Sequence, residues 1–121
     1  MEPTQTNTLP EYDPACYLCP RNTRMGGAVN EDYQSTYSFN NDFAALLPPP
    51  LPNTPKPTHP LLAAEPVHGR CDVVTFHPRH DLTLARMKIE DIAKVIEEWK
   101  RIYEERSNEP GIQYVQIFEV C

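Results

Sequence analysis

Between Lys88 and Arg106 apolar residues return every three or four positions. Ile89, Ile92, Ala93, Ile96, Trp99 and Tyr103 would share one face, with Glu90, Asp91, Lys94, Glu97, Glu98, Lys100, Arg101, Glu104 and Glu105 on a solvated one. That is the period of an amphipathic helix, and Asn108, Pro110 and Gly111 supply its stop. On both sides of the helix the period falls to two. Cys71 to Phe76 is rich in β-branched residues between Gly69 and Pro78, which predicts a strand. Ile112 to Glu119 alternates as another, with Tyr114, Gln116 and Phe118 on one side and Val115 and Ile117 on the other. A shorter alternation, Thr36 to Phe39, ends at the turn cluster Asn40-Asn41-Asp42. Short antiparallel strands with one long amphipathic helix make an α+β core, whose bare strand edges call for partner strands.

The remaining segments lack periodicity. Residues 1–11 are polar and Thr-rich and read as a disordered lead-in, while 12–47 are loop-rich up to the short strand. Residues 48–60, PPPLPNTPKPTHP, hold seven prolines in thirteen positions and read as an extended polyproline-like linker. Its PxxP spacings would also suit an SH3-type groove, but with Lys56 as its one basic residue a linker is the more economical reading.

Composition narrows the class. A chain of 121 residues carries one small domain, and 14 prolines exceed twice the usual ~5%. With 11 Lys and Arg against 17 Asp and Glu, the net charge of −6 argues against nucleic acid as a partner. No apolar run approaches ~18 residues, so no membrane helix is expected. The polar start, without a basic or apolar leader region, points to the cytoplasm, where cysteine spacing signals metal or catalysis before disulfides.

The strongest local chemistry is Cys16-Tyr17-Leu18-Cys19, bracketed by Pro14 and Pro20. A C-x-x-C loop can offer two thiolates to one Zn²⁺. His80 and His77 are the nearest sensible additional ligands, ahead of His59 and His68 in or beside the linker. Two other readings stand beside the metal: a redox pair, which would want a strand before it and a helix after it, and two inert surface thiols. Asn41-Asp42 beside Phe43 could hydrogen-bond a sugar or a base edge, or simply close a turn on its own backbone. Trp99 reads as a packing anchor, and Cys71 as a small buried apolar residue.

Taken together, YDPACYLCPRNTRMGG, VNEDYQSTYSFNNDFAAL, HGRCDVVTFHPRHDLTLARM, the helix through EEW, and YVQIFE resemble the galactose-1-phosphate uridylyltransferase family in order and spacing. The resemblance covers most of residues 12–119 and implies an N-terminal portion of a histidine-triad-like fold, here partial. It also implies a UDP-glucose–hexose-1-phosphate uridylyltransferase of galactose metabolism, with UDP-glucose and galactose-1-phosphate as substrates. In that family a histidine of a His-Pro-His motif attacks the α-phosphorus to give a covalent uridylyl-enzyme. Cys16, Cys19 and His80 match zinc ligands of the family. Asn41 and Asp42 match positions that contact the uridine nucleotide, with Phe39 and Val73 lining its uracil and ribose pocket. The family's active sites lie between two subunits, which implies a homodimer.

Departures from the family pattern set further expectations. After YVQIFE the family continues toward Gly-Cys-Ser and His-Pro-His-Gly-Gln, whereas this sequence reads Val120-Cys121. The family's arginine-bearing segments ahead of the C-x-x-C loop have no counterpart, and Arg21 stands where a glycine is common. The expectation is a truncated member, 12–121 being a partial N-terminal uridylyltransferase domain. It would have no catalytic residue of its own and would be inactive alone. The alternative is a small, non-catalytic zinc-binding structural module.

Overall fold

Two four-residue strands, β1 (Tyr37–Asn40) and β2 (Asp72–Thr75), pair antiparallel, with Tyr37 opposite Thr75 and Asn40 opposite Asp72. β2 lies inside the predicted Cys71–Phe76 segment, whereas β1 is shifted by one residue from the predicted Thr36–Phe39 and takes Asn40 from the predicted turn cluster. A 3-10 turn, Leu84–Arg86, leads into α1 (Ile89–Ser107), and the order β1, β2, α1 makes this an α+β chain. The computed structural model describes residues 9–50, 53 and 56–120. Most of the predicted lead-in therefore lies outside the described residues, as do four positions of the proline run. The described residues of that run belong to no helix or strand and are exposed.

Alternation gives the ribbon two faces. Asp72 and Phe76 meet α1 on one of them, the face that Ser38 and its partner Val74 share. Ser38 Oγ donates to Glu98 Oε1 at 3.0 Å, and Arg106 grips Asp72 through Nε at 2.7 Å and Nη2 at 3.0 Å. The Phe76 and Trp99 rings meet edge to face at 6.1 Å. The other face carries Tyr37, Phe39 and Val73, and the Tyr33 ring stacks on Tyr37 at 5.0 Å. The loop-rich N-terminal block packs there, so the ribbon is a wall between the helix and that block.

The helix begins and ends where its sequence predicts, to within a residue, but it is rotated about its axis. Val95, absent from the predicted stripe, is 0% exposed, whereas Ile89 is 82% exposed, and Ile96 and Tyr103 are also exposed. The inward positions are Ile92, Val95, Trp99 and Ile102. The apolar sector is wider than one face, and polar partners select among the possible rotations. Glu98, assigned by pattern to the solvated side, is turned inward to accept from Ser38. Arg101 beside it, then Ser38, hold its carboxyl below the usual carboxylate range against the opposing effect of burial. Glu90 and Asp91 in the first turn complement the helix dipole.

The strand predicted over Ile112 to Glu119 does not form. A ladder needs a second strand, and among the described residues β1 and β2 pair only with each other. The alternation survives as burial, with Val115 and Ile117 half-buried and Tyr114 and Phe118 exposed. Ile117 closes a shallow hollow of about 350 Å³ with Ile96, Trp99 and Tyr103. No helix among the described residues is long and apolar enough to cross a membrane.

Candidate metal centre

The C-x-x-C segment is a succession of tight turns. Cys16 N–H donates to Asp13 O at 3.1 Å, Cys19 N–H to Cys16 O at 3.3 Å and Asn22 N–H to Cys19 O at 3.3 Å. Two asparagine side chains lock these turns. Asn22 Nδ2 donates to the carbonyls of Asp13 (2.9 Å) and Cys16 (2.7 Å), and its Oδ1 accepts the Tyr12 hydroxyl at 2.6 Å. Asn30, 3% exposed, donates to the carbonyls of Tyr17 (2.7 Å) and Cys19 (3.0 Å). Tyr33 Oη donates to Leu18 O at 2.6 Å. Loop carbonyls left unpaired near a packed interior are costly, so these bonds hold the loop in one shape.

That shape brings the two thiols to His80, which is 61 positions from Cys19. One potential ligand atom from each of Cys16, Cys19 and His80 lies within 4.8 Å of the others, and Cys19 Sγ is 3.5 Å from His80 Nδ1. His80 arrives on the segment after β2, where its amide donates to Glu11 O at 2.8 Å. Cys19 is 3% exposed. Burial first, and then the neighbouring Cys16 thiol, push its pKa up against the lowering effect of a backbone hydrogen bond. A cation between the three groups would reverse that preference. Two sulfurs and one imidazole nitrogen form a donor set suited to Zn²⁺. The residues present therefore fit a zinc ion.

The other histidines stand apart from this group. His77 Nε2 faces Asp91 at 3.5 Å, and its Nδ1 accepts the Arg79 amide at 3.1 Å. His59 Nδ1 accepts the amide of Leu61, and His68 packs beside Gly111. Between His77 and His80, His80 is the one the fold delivers to the thiols.

Arg21, directly after Pro20, has φ of 68° and is the one non-glycine residue with positive φ among those described. This conformation accounts for the glycine common at the matching family position, because a Cβ there costs about 1–2 kcal/mol. Arg21 recovers part of this through an exposed ion pair with Asp32 at 2.6 Å and a guanidinium 5.1 Å from the Tyr12 ring centre. We expect Arg21→Gly to raise stability by up to about 1 kcal/mol and Arg21→Val to lower it by at least as much. Thermal melts of the chain read both; equal destabilisation would show that the side-chain contacts, rather than the backbone, rule this position.

The second group of candidate residues gathers at one end of the ribbon. Phe39 and Val73 are direct cross-strand partners, and Asn41 N–H extends the pairing to Cys71 O at 2.8 Å. Asn41 Oδ1 accepts the Phe43 amide at 2.9 Å, closing the turn. Asp42 Oδ2 accepts from Arg24 Nε at 3.0 Å, and the Arg24 guanidinium lies 4.0 Å from the Phe39 ring centre. Nothing in the local sequence marks Arg24, Asn22 or Asn30. Their roles depend on carbonyls and rings distant along the chain, and no local pattern announces such partners.

Over residues 1–120 the chain matches the family described as galactose-1-phosphate uridyl transferase, N-terminal domain. It is 50% identical over 114 residues to a galactose-1-phosphate uridylyltransferase of Cryptococcus neoformans var. neoformans serotype D, covering 89% of this chain and 30% of that protein. The enzyme of that name from Saccharomyces cerevisiae is 40% identical over 123 residues, covering 93% of this chain and 34% of its own length. The one from Rattus norvegicus is 43% identical over 121 residues, covering 98% and 31%. The chain thus spans about a third of the length of the curated relatives it matches.

Proposed function

Since this chain belongs to the galactose-1-phosphate uridyl transferase family, we propose that it supplies the zinc-holding and uridine-nucleotide-facing part of a UDP-glucose–hexose-1-phosphate uridylyltransferase of galactose metabolism. The observation that carries this reading is the convergence of Cys16, Cys19 and His80 to within 4.8 Å of one another, beside which stands the Asn41-Asp42 turn closed by the Phe43 amide. Zinc, held by those three side chains, would act as a cross-link between the N-terminal loop and the segment after β2. Asn41 and Asp42 would hydrogen-bond the nucleotide, and the Phe39–Val73 pair would form an apolar wall beside it. The partial histidine-triad-like fold, a cytoplasmic location and a homodimer belong to the same proposal.

Uridylyl transfer through a covalent intermediate forms a bond from a histidine nitrogen to the α-phosphorus and breaks the bond from that phosphorus to the departing glucose-1-phosphate oxygen. The family places that histidine in a His-Pro-His motif. The histidines of this sequence are His59, His68, His77 and His80, none so flanked, and His80 is committed to the metal group. We therefore assign this chain by itself binding without transfer.

Two measurements test the proposal. UDP should bind the zinc-loaded chain, and Asp42→Ala should weaken that binding roughly 10- to 100-fold, the range for a hydrogen bond to a charged group. Labelled UDP-glucose should leave no adduct that survives denaturation; a stable uridylyl adduct would overturn the assignment. A second reading, a zinc-binding structural module without catalysis, shares the metal centre. Full zinc occupancy with no UDP affinity would select it.

A further inference from the structure

Arg24 stands where the metal loop meets the Asn41-Asp42 turn. It opens a short hairpin in which its N–H donates to Ala28 O at 2.8 Å and its carbonyl accepts from Gly27 N–H at 2.9 Å. Positive φ at Gly27, 90°, lets that turn close. From this base the side chain makes three contacts of different kinds. Nη1 donates to Asn30 Oδ1 at 2.8 Å, Nε donates to Asp42 Oδ2 at 3.0 Å, and the guanidinium plane covers Phe39. The side chains of Arg24 and Asp42 are 10% and 21% exposed, so their ion pair is partly screened although Asp42 itself sits at the surface. A Cβ on Gly26 would come within 3.3 Å of Asp42 Oδ1, so the carboxylate is hemmed in from that side as well.

Asn30 completes the connection. The side chain whose Oδ1 accepts from Arg24 also donates, through Nδ2, to the carbonyls of Tyr17 and Cys19. A continuous hydrogen-bonded path therefore runs from the backbone of a metal-binding cysteine, through Asn30 and Arg24, to the Asp42 carboxylate. A guanidinium suits this bridge because its donors point in fixed directions and its flat face stacks on a ring; an ammonium offers neither. Arg24 leaves Asp42 Oδ1 as the oxygen not engaged by its Nε.

We propose that Arg24 is a positioning residue: braced on Phe39 and Asn30, it sets the Asp42 carboxylate and ties its placement to occupancy of the Cys16–Cys19–His80 group. The inference rests on the metal and nucleotide reading above, but its first readout requires no nucleotide. Coupling along such a path needs direct evidence, and a variant that keeps the metal while losing the response supplies it.

The test follows backbone amide shifts of the full 121-residue chain as zinc alone is added. In the unmodified chain, shifts at Cys16 and Cys19 should be accompanied by shifts at Asn41, Asp42 and Phe43. In Arg24→Met, zinc should still bind and shift the cysteines, but the response at Asn41 to Phe43 should vanish. Arg24→Lys, a milder change should Arg24→Met fold poorly, should retain at most part of it. UDP affinity should fall roughly tenfold in Arg24→Met, the scale of one charge-assisted hydrogen bond. An unmodified chain in which zinc leaves Asn41 to Phe43 unmoved, or an Arg24→Met chain in which they still respond, overturns the proposal. Absence of any zinc response at the cysteines overturns it together with the metal assignment. Absence of UDP affinity with the relayed shifts intact defeats the nucleotide reading and leaves the coupling standing.

Discussion

Replacing Cys19 by serine should lower zinc affinity at least ~100-fold and remove the thermal stabilisation that zinc gives. Serine keeps the size of the side chain but substitutes a poor zinc ligand for a thiolate, and it leaves two donors where three converge within 4.8 Å. Cys19 is the buried member of the pair, so the hydroxyl would also have to find a partner in a confined space. The stabilisation lost with the metal is large because the ion joins segments about 60 positions apart, represented by Cys19 and His80. Direct metal analysis and paired melts with and without a chelator measure both effects. Unchanged zinc content in Cys19→Ser would remove Cys19 from the ligand set.

The same site gives opposite pH trends with and without metal. Zinc requires the thiols deprotonated, and burial raises the Cys19 pKa, so zinc affinity should fall as pH falls. In the metal-free chain a raised thiol pKa means that the folded state holds its proton more tightly than the unfolded chain. That contribution is complete below the ordinary thiol range of about 8.5 and is lost as pH rises through the raised value. Melting midpoints across this range, with zinc and with chelator, should therefore change with opposite signs.

The second large effect belongs to the helix. Val95→Asp should abolish cooperative melting, while Ile89→Asp, six positions earlier, should change stability by less than about 0.5 kcal/mol. Val95 is fully buried, so a carboxylate there would be stripped of water. The expected cost, above about 3 kcal/mol, is a large share of the total stability of a small domain. Val95→Ala, at about 2 kcal/mol, separates lost packing from buried charge. Comparable damage from Ile89→Asp would restore the face predicted from the pattern.

Much of this was legible in the chain, and where legibility stops has a physical explanation. The helix and the two paired strands follow from periodicity, which is written in neighbouring residues. The Cys16–Cys19 pair was legible because a C-x-x-C loop is local. Spacing offers His80 beside His77, and the resemblance to the family pattern favours His80. The fold separates the two by tying His80 to Glu11 and turning His77 to Asp91. Asn22, Asn30 and Arg24 escaped notice because an asparagine or arginine in a loop is ordinary until its carbonyl, ring or carboxylate partner comes alongside. Arg21 shows the reverse order: a departure from the family's glycine was visible in sequence, and its reason, a left-handed backbone, is visible only in space.

By itself the sequence determined the helix period and length, two short strands, the thiol pair and membership of a uridylyl transferase family, all set by residue types close together or in a fixed order. Tertiary structure decided which helix face turns inward, that Ile112 to Glu119 has no strand partner among the described residues, and how the metal loop is joined to Asp42. Those outcomes depend on pairs such as Ser38 with Glu98, 60 positions apart, and Asp72 with Arg106, 34 apart. A local pattern allows several helix rotations of similar burial; the half-buried polar groups between helix and ribbon admit the one that satisfies them.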